Sequence, residues 1–189
     1  MVYWGKLDGV QKRVVPMRFF LVSAVLVLGA ATNIANAEVI DAAENGFSLV
    51  HEVIVDATRA TAWIAAVDNI DKWWDPEHTI SGNAALLSID ARPLGCFCEA
   101  VGGGVVHLMV TTVSRDVNLR MTGGLGPLGL LGVNGNMTWE FFDVDGGTTI
   151  RFSYAVGGYY SGGLDTIADG VDFVIGEAVQ RLKAYIDAG

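Results

Sequence analysis

The chain has 189 residues, of which 12 are basic and 21 acidic, so its formal net charge at neutral pH is −9. A surface this acidic repels phosphate backbones, and we therefore expect no nucleic-acid partner. The two cysteines exclude a scaffold held together by several disulfides, and the chain is long enough to bury an ordinary hydrophobic core.

The first 37 residues have the three parts of a secretory leader in the usual order. Three basic residues ending at Arg18 precede an apolar run over residues 19–31, and residues 35–37 (Ala-Asn-Ala) form a small-residue cleavage pattern. A membrane anchor, the alternative interpretation, needs about 20 apolar residues, whereas this run has 13. We expect cleavage before Glu38, a periplasmic or secreted protein, and no stable membrane span after cleavage.

The remainder, residues 38–189, has the size of a single domain, and no repeat or linker divides it. The leader carries four of the basic residues and one of the acidic residues, which leaves 8 and 20 in the domain and a net charge of −12. Met17 stands directly before the charged and apolar stretch, so the sequence leaves open that residues 1–16 are an over-extended gene start.

The first regular element of the domain is a strand. Residues 38–46 are acidic and polar and predict an irregular lead-in, whereas residues 47–57 alternate between an apolar and a mixed face. Asp56 or Thr58 can cap a helix that follows this strand. A second short helical turn carries two adjacent tryptophans and ends at a proline.

From residue 85 the hydrophobic pattern has a period of two, which predicts a series of strands. The candidate strands span residues 86–91, 95–101, 105–115, 117–122, 137–144 and 148–156. Their short connections favour an antiparallel meander. Two stretches break the pattern: a loop rich in Gly and Leu over residues 123–135, and residues 157–163, which place Tyr159 and Tyr160 between glycines.

The last predicted element is a long amphipathic helix. Apolar residues recur at steps of three and four over residues 164–186 and form one wide stripe. The pairs Glu177–Arg181 and Lys183–Asp187 have the spacing of intrahelical ion pairs, each of which contributes only about 0.2–0.5 kcal/mol. Packing of the stripe, rather than these pairs, must therefore hold the helix in place.

The order of these elements predicts an α+β domain. A curved antiparallel sheet of six to seven strands must cover its apolar face, and only the long C-terminal helix can do so. Two short helices follow the first strand. A sheet that grips a helix in this way, a helix-grip fold, leaves a gap that is the natural ligand site. Gly176 costs the helix about 1 kcal/mol relative to Ala, which a close contact with the sheet or with a ligand would explain.

Several segments of the domain resemble a known superfamily. They are residues 73–79 (Trp-Trp-Asp-Pro-Glu-His-Thr), 81–82 (Ser-Gly), 94–99 (Leu-Gly-Cys-Phe-Cys-Glu), 123–128 and the strand over 148–154. Together they resemble the SRPBCC or START-like superfamily, which has the birch-pollen-allergen fold, and within it a bacterial branch near the polyketide cyclases and ATPase-activator homologues. The resemblance covers residues 47–189 and implies a helix-grip fold with a hydrophobic cavity.

The superfamily includes lipid carriers, cyclases, lyases and co-chaperones, so the resemblance implies no single reaction. No catalytic set of the superfamily maps onto this chain, and export would keep the protein from cytosolic chaperones. We expect a domain that binds a small hydrophobic or amphipathic molecule, lipids included, without a cofactor. A cofactor-free cyclase or lyase acting in the same pocket is the alternative, and the sequence leaves open whether there is catalysis.

The hairpin over residues 95–111 gathers sulfur and imidazole groups. In a regular hairpin closed by two glycines, Cys98 lies opposite His107 and Cys96 lies opposite Met109, so the four side chains share one face. Such a set suits copper(I) or zinc, which makes Cys96, Cys98 and His107 an alternative metal site. A third glycine in the turn could shift the register, and the cysteines are closer in sequence than zinc ligands usually are, so we expect no metal.

The same two cysteines could form a disulfide in an oxidising compartment. Residues i and i+2 of a regular strand have Cα atoms about 6.6 Å apart, which is near the upper limit for a bridge. This geometry favours free, buried thiols over a Cys96–Cys98 disulfide.

Histidines are the candidate general bases, because imidazole titrates near neutral pH. His78 follows a proline turn at the rim of the expected pocket, and His107 lies in the hairpin. No second acid or base accompanies His78 at a fixed spacing, so the pattern favours a structural histidine bonded to Glu77 or to the backbone. His51 lies among apolar neighbours on the first strand, which predicts a packed histidine.

Aromatic side chains are the stronger signal for binding, because they bury large areas and carry polar groups that can orient a ligand. The aromatics that could line or close a cavity are Trp73, Trp74, Trp139, Tyr154, Tyr159, Tyr160 and Phe173. Each could equally be an ordinary core residue. The predicted ligand-binding set is Trp73, Trp74, His78, Cys96, Cys98, His107, Met109, Trp139, Tyr159 and Phe173.

Overall fold

The computed structural model describes residues 37–189, and the predicted leader lies outside them apart from Ala37. The strands are β1 (Ala37–Ala43), β2 (Gly46–Val55), β3 (Leu87–Ile89), β4 (Cys96–Glu99), β5 (Val105–Ser114), β6 (Asn118–Gly123), β7 (Gly132–Val144) and β8 (Gly147–Tyr159). The α-helices are α1 (Arg59–Trp63), α2 (Ile70–Trp73) and α3 (Asp165–Asp187). A π-helical turn (Ile64–Asp68) continues α1, and 3-10 turns span Pro76–His78, Ala84–Leu86 and Gly126–Leu130.

The eight strands of the described residues form one antiparallel sheet in the order β1-β2-β8-β7-β6-β5-β4-β3. The six strands from β3 to β8 are a meander of consecutive neighbours, as the short turns predict. The first two strands join it because β2 pairs with β8, in register from Gly46↔Gly157 to Val55↔Thr148. The predicted α+β architecture, with a long C-terminal helix and two short helices, is confirmed.

β1 is the strand that the sequence does not predict. It pairs with β2 from Ala37↔His51 to Ala43↔Gly46 and forms one edge of the sheet. The prediction of an irregular lead-in over residues 38–46 is therefore wrong, and the sheet has eight strands rather than six to seven. Backbone hydrogen bonds to a single neighbour hold an edge strand, so it can lack the apolar alternation that identifies an inner strand.

α1 begins where the sequence predicts a helix. The Thr61 N–H donates to Oγ1 of Thr58 at 3.2 Å, so Thr58, rather than Asp56, is the N-cap. α2 ends at Trp73, before the proline turn.

α3 packs against β1 and β2, and Gly176 of the helix lies against the ring of His51 on β2. A Cβ atom at this position would lie 2.7 Å from Cε1 of His51. His51 is only 3% exposed, and its Nε2 lies 2.8 Å from Oδ1 of Asp172. Of the two explanations for Gly176, contact with the sheet or with a ligand, the structure shows the sheet contact, and the packed histidine expected at position 51 is confirmed.

A row of residues on α3 also holds the segment that follows α1. Arg181 donates through Nε to the Trp73 carbonyl oxygen at 2.9 Å, and its Nη1 lies 3.0 Å from Oδ2 of Asp75. Tyr185 accepts a hydrogen bond from the Asn69 amide at 3.3 Å. The spacing of Glu177 and Arg181 predicts an ion pair within the helix. In the structure, Arg181 instead binds Trp73 and Asp75, which lie outside the helix.

The second predicted ion pair of α3 does form, since Lys183 Nζ lies 2.8 Å from Oδ2 of Asp187. Lys183 also donates to the carbonyl oxygen of Ile54 at 2.7 Å and so ties the end of the helix to β2. No helix within residues 37–189 is both long enough and apolar enough to cross a membrane.

Candidate ligand pocket

An apolar pocket of ≈ 370 Å³ lies between α3 and the loop that joins β6 to β7. Its lining residues are Leu125, Pro127, Leu128, Leu131, Tyr160, Ile167, Gly170, Val171, Val174 and Ile175. The Tyr160 hydroxyl is the only polar side-chain group in this lining. Pockets of this size accommodate small ligands, and carbon-rich walls favour apolar ones.

Tyr154 of β8 holds the loop over the pocket. Its hydroxyl donates to the Gly123 carbonyl oxygen at 2.9 Å and accepts from the Leu125 N–H at 3.1 Å. Burial raises the pKa of Tyr154 to about 12, against the opposing effect of the Leu125 hydrogen bond. The loop also requires a glycine at position 124, because a Cβ there would lie 2.5 Å from the backbone nitrogen of Gly129.

The apolar stripe of α3 has two roles along its length. In the first half, Ile167, Val171 and Val174 are partly exposed and line the pocket. Further along, Val179 and Leu182 are completely covered by the rest of the domain. The stripe is therefore wide because half of it faces a pocket and half packs in the core.

Three of the predicted ligand-binding residues are core tryptophans. Trp73, Trp74 and Trp139 are at most 3% exposed, and none of them lines the apolar pocket. Trp139 stacks on Phe152 with ring centroids 4.1 Å apart. Trp73 donates through Nε1 to the Ala65 carbonyl oxygen at 2.9 Å. These side chains are part of the packed core between the sheet and the short helices.

His78 is bound to α3. Its Nε2 lies 3.1 Å from Oε2 of Glu177, and the ring of Phe173 meets it edge-on with centroids 6.4 Å apart. The prediction that Glu77 or a backbone group is its partner is wrong, because α3 lies over the turn and supplies Glu177 from 99 positions along the chain. Neither His78 nor Phe173 lines the apolar pocket.

β4 and β5 bury a carboxylate and an imidazole together. Glu99, which is 1% exposed, accepts hydrogen bonds from the N–H groups of Ile80 (2.9 Å) and Ser81 (2.6 Å), and its Oε2 lies 3.1 Å from Nε2 of His107. Burial by itself raises the pKa of Glu99, but the hydrogen bonds from Ser81, Ile80 and His107 outweigh it, and the pKa lies below its ordinary value. The other ring nitrogen of His107, Nδ1, is buried and has no partner within residues 37–189.

The hairpin of β4 and β5 departs from the regular register. Cys96 pairs with Met109, as predicted, but Cys98 pairs with Val106. His107 is thus the extra residue of a β-bulge, which turns it to the inner face with Glu99, while both cysteines stay on the outer face. The prediction that Cys98 lies opposite His107 is wrong, and the four side chains do not form one metal-binding set.

Cys96 and Cys98 are joined by a disulfide, so the prediction of free thiols is also wrong. Their Cα atoms are 5.3 Å apart, which is well within the range of a bridge. A regular strand separates the Cα atoms of residues i and i+2 by about 6.6 Å. The shorter distance shows that β4 is contracted between Cys96 and Cys98, beside the bulge. Within the described part of the chain, no three His, Cys, Asp or Glu side chains are grouped as metal ligands.

The two tyrosines after β8 lie in different surroundings. Tyr159 is 75% exposed and lines a polar surface pocket of ≈ 470 Å³ with Glu44 and Asn45. Tyr160 lies in the wall of both this polar pocket and the apolar pocket. Of the ten residues in the predicted ligand-binding set, none lines the apolar pocket, whereas Tyr160, named only among the candidate aromatics, does.

The sequence contains indications of the Leu-rich loop and of buried Glu99 that an analysis of hydrophobic periodicity does not detect. The loop between β6 and β7, residues 124–131, is unusually rich in Leu for a surface connection, and such side chains need an apolar partner. Glu99 occupies the position after Phe97 on the inward face of β4, where an unpaired carboxylate would be costly. A charged residue at a buried position indicates a partner elsewhere in the chain.

No known family profile and no curated protein sequence matches the chain, but solved structures resemble it. An uncharacterized protein from Rhizobium leguminosarum has 18% sequence identity and a TM-score of 0.56 over 76% of this chain and 96% of that one. Ara h 8.0201 has 15% identity and a TM-score of 0.53, over 76% and 99%.

DynU16, a protein of the dynemicin biosynthetic locus, has 16% identity and a TM-score of 0.54 over 75% of this chain. The match spans about half of DynU16, 48% of its length. At these identities the likeness concerns the fold alone. The described domain therefore has the helix-grip fold of the Bet v 1-like proteins, with a long C-terminal helix on an antiparallel sheet.

Proposed function

We propose that the protein is an exported member of the SRPBCC superfamily that binds a small hydrophobic or amphipathic molecule in the apolar pocket. The lining carries the proposal: of its ten residues, only Tyr160 contributes a polar side-chain group. Carbon surface of this kind gains free energy when an apolar molecule replaces water against it. The helix-grip fold, which this chain shares with Ara h 8.0201 and DynU16, supports a ligand-binding role.

The position of Tyr160 favours an amphipathic ligand. Tyr160 lines both the apolar pocket and the polar pocket that contains Glu44 and Asn45. A molecule whose apolar part fills the first pocket would present its polar end to the Tyr160 hydroxyl and to the second pocket. Catalysis is not part of this proposal, because neither His78 nor His107 lines the apolar pocket.

Filling the pocket tests the binding proposal. Val171→Trp places a large side chain on the pocket wall, whereas Ala184→Trp adds the same group at an exposed position of the same helix. We expect Val171→Trp to weaken binding of the fluorescent probe 1-anilinonaphthalene-8-sulfonate by at least about tenfold, a loss of ~1.4 kcal/mol. Ala184→Trp should leave the affinity unchanged. Equal affinity for the probe in the two variants would contradict the proposal.

The export part of the proposal rests on the leader and needs its own test. Amino-terminal sequencing of the protein from its native compartment should give a start at Glu38, and a start well upstream would leave the apolar run attached as an anchor. Native mass spectrometry of the same sample should show a co-purified small molecule, lost from Val171→Trp and kept by Ala184→Trp. An unliganded mass for the wild type under gentle conditions would count against a tightly held ligand.

A further inference from the structure

The Cys96–Cys98 disulfide does not serve the stability of the fold in the usual way. Disulfides stabilise proteins chiefly by closing long loops in the unfolded chain. This bridge encloses a single residue, Phe97, and joins two positions of the same strand. It therefore constrains very little of the unfolded ensemble and connects no two elements of the domain.

The disulfide is also accessible from solvent. Both cysteines lie on the outer face of the sheet and are only half-buried. Their partners on β5 are exposed apolar side chains, Val106 (61% exposed) and Met109 (44% exposed). A small thiol can approach the sulfur atoms from this face without opening the core.

The bridge lies directly beside the bulge that places His107. The Cα atoms of Cys96 and Cys98 are 5.3 Å apart, whereas a regular strand separates such residues by about 6.6 Å. Without the bridge, β4 can extend to its regular length, and Cys98 can then pair with His107 in the register that strand alternation dictates. That register turns the imidazole to the outer face, away from Glu99.

We propose that Cys96 and Cys98 form a redox-active pair that exchanges with low-molecular-weight thiols, and that its redox state sets the register of the β4–β5 hairpin. In the oxidised form the bulge holds His107 against Glu99. In the reduced form the hairpin is regular, and Glu99 loses one of its three hydrogen-bond donors. The carboxylate then holds the N–H groups of Ile80 and Ser81 less firmly.

The exchange is a two-electron step that balances as follows. A thiolate attacks one cysteine sulfur, the Cys96–Cys98 bond breaks, and the displaced cysteine leaves as a thiolate that takes a proton from solvent. A second thiolate attacks the external sulfur of the mixed disulfide and releases the other cysteine, which is protonated in turn. The protein disulfide is reduced to two thiols, and two external thiols are oxidised to one disulfide.

Equilibration of the purified full chain with mixtures of reduced and oxidised glutathione tests the exchange. After acid quenching and maleimide labelling, mass spectrometry should show that the protein takes up either no label or two labels. The doubly labelled fraction should grow as the mixture becomes more reducing. The circular dichroism spectrum should remain that of the folded protein throughout. A pair that remains oxidised in the folded protein under excess dithiothreitol would overturn the proposal. Free thiols in protein purified under air would overturn it as well.

Hydrogen exchange on the same samples tests the register change. We expect the amides of Ile80 and Ser81 to exchange about tenfold faster in the reduced form, because their shared acceptor is less firmly held. The Cys96→Ser/Cys98→Ser variant should match the reduced wild type and show no response to dithiothreitol. Identical exchange at positions 80 and 81 in the oxidised and reduced wild type would refute the register change, whatever the fate of the variant.

Discussion

Gly170 and Gly176 stand six residues apart in α3 and form a matched pair for substitution. Replacing Gly by Ala within a helix normally stabilises it by about 1 kcal/mol, because alanine restricts the unfolded backbone and favours the helix. A Cβ at Gly170 would have no neighbour within 4 Å, so Gly170→Ala should show this gain in full.

Gly176→Ala should have the opposite sign. The added methyl would lie 2.7 Å from Cε1 and 3.1 Å from Nδ1 of His51, a ring that is buried and bonded to Asp172. Overpacking of this kind costs about 1–3 kcal/mol, and displacement of the ring would break a partly buried hydrogen bond to a carboxylate, worth about 1.5–3 kcal/mol. After the helical gain of about 1 kcal/mol is subtracted from the sum of these two costs, we expect a net destabilisation of about 1.5–5 kcal/mol.

Urea unfolding followed by circular dichroism measures both changes, and thermal unfolding provides a second reading. In a domain of this size, 1 kcal/mol corresponds to about 2–4 °C in Tm, so the two variants should move in opposite directions by several degrees. Truncating the ring with His51→Ala should abolish the penalty of Gly176→Ala in the double variant. A Gly176→Ala variant as stable as Gly170→Ala would refute the close approach of α3 to β2.

Tyr154 and Glu99 supply two pH-dependent predictions. Folding raises the pKa of Tyr154 from 10.0 to about 12. The contribution of Tyr154 to stability is therefore complete below pH 10 and falls by about 2–3 kcal/mol as the pH rises to the folded-state pKa. In urea titrations, Tyr154→Phe should abolish this alkaline loss of stability. Because the pKa of Glu99 lies below its ordinary value of 4.5, its contribution is complete above pH 4.5 and is lost as the pH falls through the folded-state pKa. Glu99→Gln should therefore cost about 1.5–3 kcal/mol at neutral pH and less in acid.

Exposed residues of the same type serve as controls for these measurements. Tyr159→Phe, at a side chain that is 75% exposed, should leave the alkaline loss as it is in the wild type. Glu77→Gln, also at an exposed position, should leave the acid dependence intact. The role assigned to Tyr154 would be contradicted if Tyr154→Phe lost as much stability at alkaline pH as the wild type. The role assigned to Glu99 would be contradicted if Glu99→Gln cost the same free energy of unfolding in acid as at neutral pH.

Hydrophobic periodicity predicts the regular elements of the fold well. β5, β6 and α3 lie within one or two residues of their predicted ranges, because burial of one face imposes its period on the sequence. β7 is the informative exception. It begins at Gly132, five residues before the predicted strand, where pairing with β8 continues from Gly132↔Tyr159 without an alternating apolar face. Hydrogen bonds between backbone groups do not require any particular side chains, so hydrophobic periodicity does not reveal this part of β7.

The hairpin shows why the site is harder to predict than the fold. Around His107, β5 has apolar residues at both inward and outward positions, so its hydrophobic pattern fits either register. One bulged residue then decides whether the imidazole joins Cys98 or Glu99. That choice depends on the turn and on the cysteine bridge, and neither can be derived from alternation.

Aromatic residues present a similar difficulty. Large apolar side chains are expected both in a packed core and in the wall of a cavity, and sequence does not distinguish the two. Trp139 belongs to the core because Phe152, from the neighbouring strand, stacks on it. The loop between β6 and β7, residues 124–131, lies over α3 because Tyr154 binds its start from about 30 positions further along the chain. Both outcomes depend on long-range contacts.

The pairing of β2 with β8 also determines when the domain can fold. The paired residues are 111 positions apart at Gly46↔Gly157 and 93 apart at Val55↔Thr148. During synthesis β2 has no inner partner until β8 emerges, and α3, which covers β1 and β2, follows later still. Contacts of such long sequence separation make folding slow. The newly made chain therefore lacks its final sheet until its last elements are complete.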